Sequence, residues 1–221
     1  MKDSRPTYHP EIAQVRIIDG QNNFPISWLN TQGYCEYCIY LENVKGITAP
    51  RTMAMKRGSK VHHVLEEEFK KDAVPTTMEE MMETSKTVEI LSRELYVESA
   101  RHGIRGLIDE IWMTPDEFII IDDKPGKIAY SSQINQVFGY CLAFKDKYGD
   151  GRRIIASLRQ STSGDVFWQH YFDEKAENRI KSIVHHVHQA LLFNEEFLAT
   201  ENPNKCRSCR FSAKCDRRIE P

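Results

Sequence analysis

Two aspartates and a lysine lie on neighbouring apolar segments in the middle of the sequence, which a Pro115–Asp116 turn separates. A hairpin centred on that turn places Asp109 opposite Asp122, because both positions are equally far from it. Directly opposed side chains have Cβ atoms about 4.5–5.5 Å apart, where two negative charges repel each other unless something compensates. Lys124 points to the same face as Asp122, since side chains alternate along a strand. The hairpin therefore predicts two carboxylates and an ammonium group on one face.

This group of side chains has the chemistry that hydrolysis of a phosphodiester with a hard divalent cation requires. Oxygen ligands suit Mg²⁺ or Mn²⁺, the cation activates water, and an ammonium group stabilises the charge that develops on the phosphate. The alternative is a polar strand end, in which Asp109 forms a surface salt bridge and residues 122–124 are solvated. The arrival of carboxylates at the C-terminal edge of the apolar run FIIID favours a site.

The surrounding elements predict an α/β fold with a mixed central sheet flanked by helices. We expect an irregular segment through Phe24 and a helix broken by Gly33. Thr77-x-x-Glu80 is a capping box, which opens a further helix. The predicted helices are 25–42, 55–69, 77–92, 132–147 and 173–193, and the predicted strands are 94–99, 106–113, 118–122, 153–158 and 166–171.

Length and composition fit one soluble domain. The chain has 221 residues, of which 40% are hydrophobic, so we expect a single domain over 1–221. It has no charged leader followed by an apolar run and no apolar stretch of about 18 residues, so we expect a cytoplasmic protein without a membrane partner. The net charge of −2 does not by itself indicate a nucleic-acid binder. Basic residues from Lys205 onward could contact phosphates or form a solvated tail.

The cysteines are clustered like metal ligands and not spread like a disulfide framework. Of six cysteines, three fall within ten residues near the C-terminus: Cys206, Cys209 and Cys215. Thiolates bind zinc or an iron–sulfur cluster, and spacing alone separates these poorly. One set of ligands pairs Cys35-x-x-Cys38 with Cys206-x-x-Cys209 around zinc and leaves Cys215 spare.

Four motifs, in order, resemble the RecB-like branch of PD-(D/E)xK nucleases, and most closely the CRISPR-associated Cas-four family and its free-standing archaeal and viral relatives. The motifs are Gly58-x-x-x-His62, Gly106-x-x-Asp109, Asp122-x-Lys124 and Gln136-x-x-x-Tyr140. The similar features span residues 28 to 216. The resemblance implies a core like that of restriction endonucleases.

The resemblance also implies roles for these residues. The metal ligands would be His62, Asp109, Asp122 and the backbone carbonyl of Asp123. His63 is a rival to His62. A single helical histidine is more often structural, and it is the place of His62 in the ordered set of motifs that favours it as a ligand. Many relatives have glutamate where Asp122 stands, and the shorter side chain can alter the choice between Mg²⁺ and Mn²⁺. Lys124 would position the attacking water or stabilise charge, and Gln136 and Tyr140 would contact DNA or orient the lysine.

The cysteines resemble the ligand set of the family's iron–sulfur cluster, with one N-terminal and three C-terminal members. The resemblance selects Cys35, Cys206, Cys209 and Cys215 for a [4Fe–4S] cluster. Such a cluster would join residues 25–45 to residues 200–218 as a staple and couple its assembly to folding. Cys141 falls on the helix after the predicted catalytic strand, where we expect a buried structural thiol.

By resemblance, the chain is a DNA exonuclease that acts on single-stranded ends, often from 5′ to 3′. The resemblance implies a place in CRISPR spacer acquisition, with CRISPR adaptation proteins as partners, or in DNA repair. The alternative is a non-catalytic iron–sulfur or zinc module that binds nucleic acid, which disrupted carboxylates would indicate. The carboxylates are intact, and they favour the enzyme.

Overall fold

The computed structural model describes residues 7–50, 52, 67, 69, 71 and 73–220. Its strands are β1 (Thr7–Tyr8), β2 (Arg16–Ile18), β3 (Gln21–Pro25), β4 (Ile90–Ser99), β5 (Ile104–Met113), β6 (Glu117–Lys124), β7 (Arg153–Gln160) and β8 (Val166–Tyr171). Its helices are α1 (Trp28–Cys35), α2 (Tyr37–Ile39), which continues as a π-helical turn (Tyr40–Val44), α3 (Met78–Thr84), α4 (Ser131–Tyr148), α5 (Glu174–Leu191) and α6 (Pro203–Ser208), with a final 3-10 turn (Ser212–Lys214).

One mixed sheet holds the eight strands of the described residues, in the order β1-β2-β3-β5-β6-β7-β8, with β4 also paired to β5. The predicted α/β fold with a central mixed sheet is therefore confirmed. Strand β6 runs antiparallel to β5 and parallel to β7. Glu110 pairs with Ile121 and Met113 with Phe118, which is the register that a turn centred on Pro115–Asp116 predicts.

Helix α4 packs against one face of the sheet and contributes side chains to the core. Phe144 packs edge-on against Phe118 of β6, with ring centroids 4.9 Å apart. Gly139 and Gly33 let α1 approach α4: a Cβ at Gly139 would lie 2.4 Å from Leu29 Cδ1, and one at Gly33 would lie 2.7 Å from Ser132 Cα. The sequence suggested that Gly33 breaks its helix. Gly33 instead lies inside α1, at a close contact with α4.

From Thr7 onward the N-terminal segment is not irregular, contrary to the sequence-based expectation, and it adds β1, β2 and β3 to the sheet. Phe24 of β3 pairs in parallel with Ile104, and its ring is fully buried and stacks on Trp28. The pairing of Phe24 with Ile104 joins residues 80 positions apart, and periodicity within a short segment does not report such a contact.

The helix predicted over 77–92 differs from the expectation in its length. The capping box at Thr77 and Glu80 is confirmed, but α3 ends at Thr84 and not near Ser92. The reason is tertiary, because the residues from Ile90 onward pair with β5 along its whole length. The predicted helix 55–69 falls mostly outside the described residues. Of the helices in the described part of the chain, none combines the length and the apolarity that a membrane span needs.

Candidate active site

Asp109 and Asp122 meet where β6 approaches its C-terminal end. The β5–β6 ladder ends at the pair of Glu110 and Ile121, one position before Asp109 and Asp122, and Asp109 Oδ2 accepts a hydrogen bond of 2.7 Å from the backbone N–H of Asp123. Asp122 is only 2% exposed. Lys124 Nζ lies 2.7 Å from the buried Asp122 Oδ2 and forms an ion pair with it.

The ionised form of Asp109 is disfavoured in this site. Burial first, and then the negative charge of Asp122, hold the pKa of Asp109 well above its usual range. The hydrogen bond from the Asp123 N–H and the charge of Lys124 act in the opposite direction but do not outweigh them. A site of this kind favours a bound proton or cation.

A buried chain of polar side chains connects Lys124 to α4. Lys124 Nζ donates a 3.0 Å hydrogen bond to Gln136 Oε1, and Gln136 Nε2 donates one of 3.2 Å to the Tyr140 hydroxyl. Gln136 and Tyr140 lie one helical turn apart and therefore share a face of α4. Burial, followed by the charges of Asp122 and Asp109, raises the pKa of Tyr140 well above its usual value. The helix thus fixes the position of the lysine and keeps the phenol protonated.

Gly106 of β5 makes room for the phenol ring. A Cβ built at Gly106 would lie 2.8 Å from Tyr140 Cε1 and 3.3 Å from Ile26 Cβ. The close packing of strand against helix therefore explains the glycine that precedes Asp109 by three positions.

The Asp123 side chain lies on the other face of the sheet. Arg159 donates to both of its oxygens, at 2.8 and 3.0 Å, and Arg93 donates at 3.3 Å. Burial acts to raise the pKa of Asp123, but these two arginines lower it. Glu110 bridges the same two arginines. The Asp123 carboxylate is thus held away from the site, and the resemblance assigned only its backbone carbonyl to the metal.

Two features beside the site were not predicted from the sequence. The ionic network of Arg93, Glu110 and Arg159 could have been inferred from strand alternation, since Arg93 and Glu110 are cross-strand partners. Glu94 carries no such signal. It has a left-handed backbone with a φ of 52°. On β4, the residue before Glu94 pairs with Glu110 and the residue after it pairs with Ile108, so Glu94 lies opposite Asp109. Its charge contributes to the raised pKa of Tyr140, which places it near the site.

The predicted histidine ligand cannot be located, because His62, its rival His63 and Gly58 lie outside the described residues. In the parts of the chain that the structure does describe, no group of three or more histidine, cysteine, aspartate or glutamate side chains has the arrangement of a metal site. Asp109, Asp122 and the backbone of Asp123 thus form the described part of the predicted set, and the role of His62 stays a prediction.

Comparison with known proteins agrees with this geometry. A profile of the PD-(D/E)XK nuclease superfamily matches residues 67–216, which include Asp109, Asp122, Lys124, Gln136 and Tyr140. The chain belongs to this superfamily. A comparison with curated proteins finds no match.

Comparison with solved structures gives two similar chains. A candidate exonuclease from Eubacterium rectale is 13% identical, with a TM-score of 0.52 and 90% of each chain covered. The structure of SSO0001 is 16% identical, with a TM-score of 0.44, and covers 91% of this chain and 90% of its own. At such low identity, the first shows a common fold, and the second supports no further argument.

The nuclease also gathers its cysteines, because the C-terminal segment returns to the N-terminal helices. The Tyr34 hydroxyl donates to the Lys205 carbonyl at 2.7 Å, and the Tyr37 hydroxyl donates to Asp216 Oδ1 at 2.8 Å. Arg210 pairs with Glu42. One cavity between these segments is lined by Cys35, Cys38, Cys206, Cys209 and Cys215.

Cys38 lies closer to the C-terminal thiols than the resemblance implies. Its Sγ is 3.6 Å from Cys209 Sγ, and it also hydrogen-bonds Cys35. The hydrogen bond from Cys38 is the main cause that lowers the pKa of Cys35 and of Cys209 to about 6, whereas burial raises the pKa of Cys215. Cys141 lies apart from this cavity on α4 and is fully buried, as predicted.

Proposed function

We propose that this nuclease is a DNA exonuclease that depends on Mg²⁺ or Mn²⁺ and degrades single-stranded ends, from 5′ to 3′. The observation that carries the proposal is the buried pair Asp109 and Asp122, with Lys124 held beside it by Gln136. A divalent cation, when bound, would supply Lewis-acid activation of water and of the phosphate.

Different side chains would bind the cation and stabilise charge on the phosphate. Asp109 and Asp122, together with His62, would hold the cation, and the donor set fits because hard cations prefer carboxylate oxygens. Lys124 keeps its ammonium group between Asp122 and Gln136, where it can stabilise charge that develops on the phosphate.

The proposal that the substrate is an end of single-stranded DNA rests on similarity to other proteins. The Eubacterium rectale structure is named as a candidate exonuclease, and the motifs resemble those of the Cas-four family, whose members act on single strands. We accordingly propose a cytoplasmic role in CRISPR spacer acquisition, with adaptation proteins as partners, or in DNA repair.

End-labelled and circular single strands test this function directly. With Mn²⁺ or Mg²⁺, the protein should shorten linear single strands from the 5′ end, leave circular ones intact, and cleave duplexes more slowly. Asp122→Asn should abolish cleavage, whereas Asp116→Asn, an exposed acid in the hairpin turn, should leave it unchanged. Cleavage of circles at the rate of linear strands would refute the exonuclease, and full activity of Asp122→Asn would refute the site.

We further propose that the cysteine cavity holds a thiolate-bound metal, with a [4Fe–4S] cluster as the first candidate and zinc as the second. Among the described residues no three of these thiols have the arrangement of a metal site, so the support comes from the five thiols that line one cavity and from the low pKa of Cys35 and Cys209, because the thiolate is the ligand. The cluster would join residues 25–45 to 200–218 and so close the single domain over 1–221. Anaerobic purification followed by iron and zinc analysis separates the candidates, and the absence of both metals would refute the proposal.

A further inference from the structure

One row of the sheet leads from the carboxylate pair to an aromatic residue on an edge strand. Asp122 pairs with Leu158 of β7, and Leu158 pairs with Trp168 of β8. Neighbouring strands lie about 4.7–4.9 Å apart, so the backbones of Asp122 and Trp168 are roughly 10 Å apart. In the described residues, β8 has no strand on its outer side.

Trp168 faces the same side of the sheet as the site. Phe138 of α4 packs edge-on against the Trp168 ring, with centroids 5.7 Å apart, and α4 also supplies Gln136 and Tyr140 to the site. One helix therefore supports both the lysine and the aromatic ring. Leu158, which lies between Asp122 and Trp168 in this row, is apolar and fully buried.

The ring of His170 extends this aromatic surface. His170 lies two positions beyond Trp168 on β8, and their rings are nearly parallel, at 11°, with centroids 6.1 Å apart. Phe138 also contacts His170 edge-on at 6.1 Å. Trp168 is partly exposed and His170 is exposed, whereas Phe138 beneath them is buried. The packing thus holds two accessible rings in a fixed orientation.

We infer that Trp168 and His170 form a base-stacking subsite, which takes an unpaired base of single-stranded DNA next to the nucleotide whose phosphate is at Asp122. Aromatic rings stack on any base, so such a subsite binds single strands without reading their sequence. A duplex keeps its bases stacked on one another and should not use it. The placement relative to the scissile phosphate rests on the proposed function, but stacking itself does not.

Fluorescence of the metal-free protein provides the test, because no catalysis is needed. A dT oligonucleotide should quench tryptophan emission, and Trp168→Leu should remove most of the quenching and weaken binding about 5- to 150-fold. Leucine preserves an apolar contact with Phe138. Trp112→Leu is the matched control, because Trp112 is 39% exposed but bonds Glu110 on the opposite face. It should leave the affinity unchanged.

Binding of Trp168→Leu within twofold of the wild type would overturn the inference. His170→Ala, at an exposed position, covers the case in which Trp168→Leu does not fold, and it should weaken binding several-fold. Equal affinity of His170→Ala and wild type, with equal quenching, would also overturn it. If Trp168-dependent quenching persists in a protein that cleaves nothing, the proposed exonuclease falls and the subsite stands. If Trp168→Leu degrades single strands with unchanged kcat/KM, the subsite falls and the exonuclease stands.

Discussion

Replacing Asp109 with asparagine should stabilise the metal-free protein while abolishing its activity. Two charges about 5 Å apart at an effective dielectric constant of about 20 repel each other by roughly 3 kcal/mol. Asparagine keeps an oxygen that accepts the hydrogen bond from the Asp123 N–H. This bond is weaker because its acceptor is no longer charged, and the weakening costs about 1 kcal/mol. The net gain in free energy of unfolding is about 1–2 kcal/mol, and it should raise the Tm by roughly 2–8 °C for a chain of this size.

The gain should depend on pH, with a sign that the pKa of Asp109 determines. Because its pKa is raised in the folded state, the folded protein binds this proton more tightly than the unfolded chain does. The contribution of Asp109 to stability is therefore fully present below its unfolded pKa of about 3.9 and is lost as the pH rises towards the folded value. The difference between Asp109→Asn and wild type should widen over that range.

Thermal unfolding in a chelator, and then with Mn²⁺, measures both effects. Mn²⁺ should raise the Tm of the wild type, because a ligand that binds only the folded state stabilises it, and should leave Asp109→Asn nearly unchanged. Asp116→Asn, in the exposed turn of the same hairpin, should behave as wild type in both conditions. The reasoning is refuted if Asp109→Asn is less stable than wild type in chelator, or if Mn²⁺ stabilises both proteins equally.

Three further predictions concern other parts of the molecule. Lys124→Ala should retain Mn²⁺ binding by calorimetry but lose most of kcat, since its ammonium acts on charge in the transition state; weakened metal binding with an unchanged rate at saturating Mn²⁺ would contradict this role. Gly106→Ala should lower the free energy of unfolding by about 1–3 kcal/mol in urea, because the added methyl group overlaps Tyr140; an unchanged urea midpoint would show that the ring can move away. Cys38→Ala should reduce bound iron or zinc at least as much as Cys215→Ala, because Cys38 lies between two thiols of low pKa; full metal content in Cys38→Ala would restore the ligand set that the resemblance implies.

The sequence determined the features that depend on local geometry. The Pro115–Asp116 turn predicted the register of the hairpin, in which Glu110 pairs with Ile121 and Met113 with Phe118, because turn chemistry fixes the register of a hairpin. The spacing of Gln136 and Tyr140 placed both on one face of a helix, and the capping box marked the start of α3. In each case the interacting residues are near neighbours along the chain.

Only the tertiary structure decided the features that depend on distant partners. The N-terminal strands form because Phe24 can pair beside Ile104, and Glu94 takes its left-handed backbone within a ladder opposite Asp109. Gly33 reads locally as a helix breaker, but contact with α4 makes the absence of its side chain a requirement of packing. Pairing and close packing between remote segments outweigh local preference, because the free energy they contribute comes from burial that a short stretch of sequence does not contain.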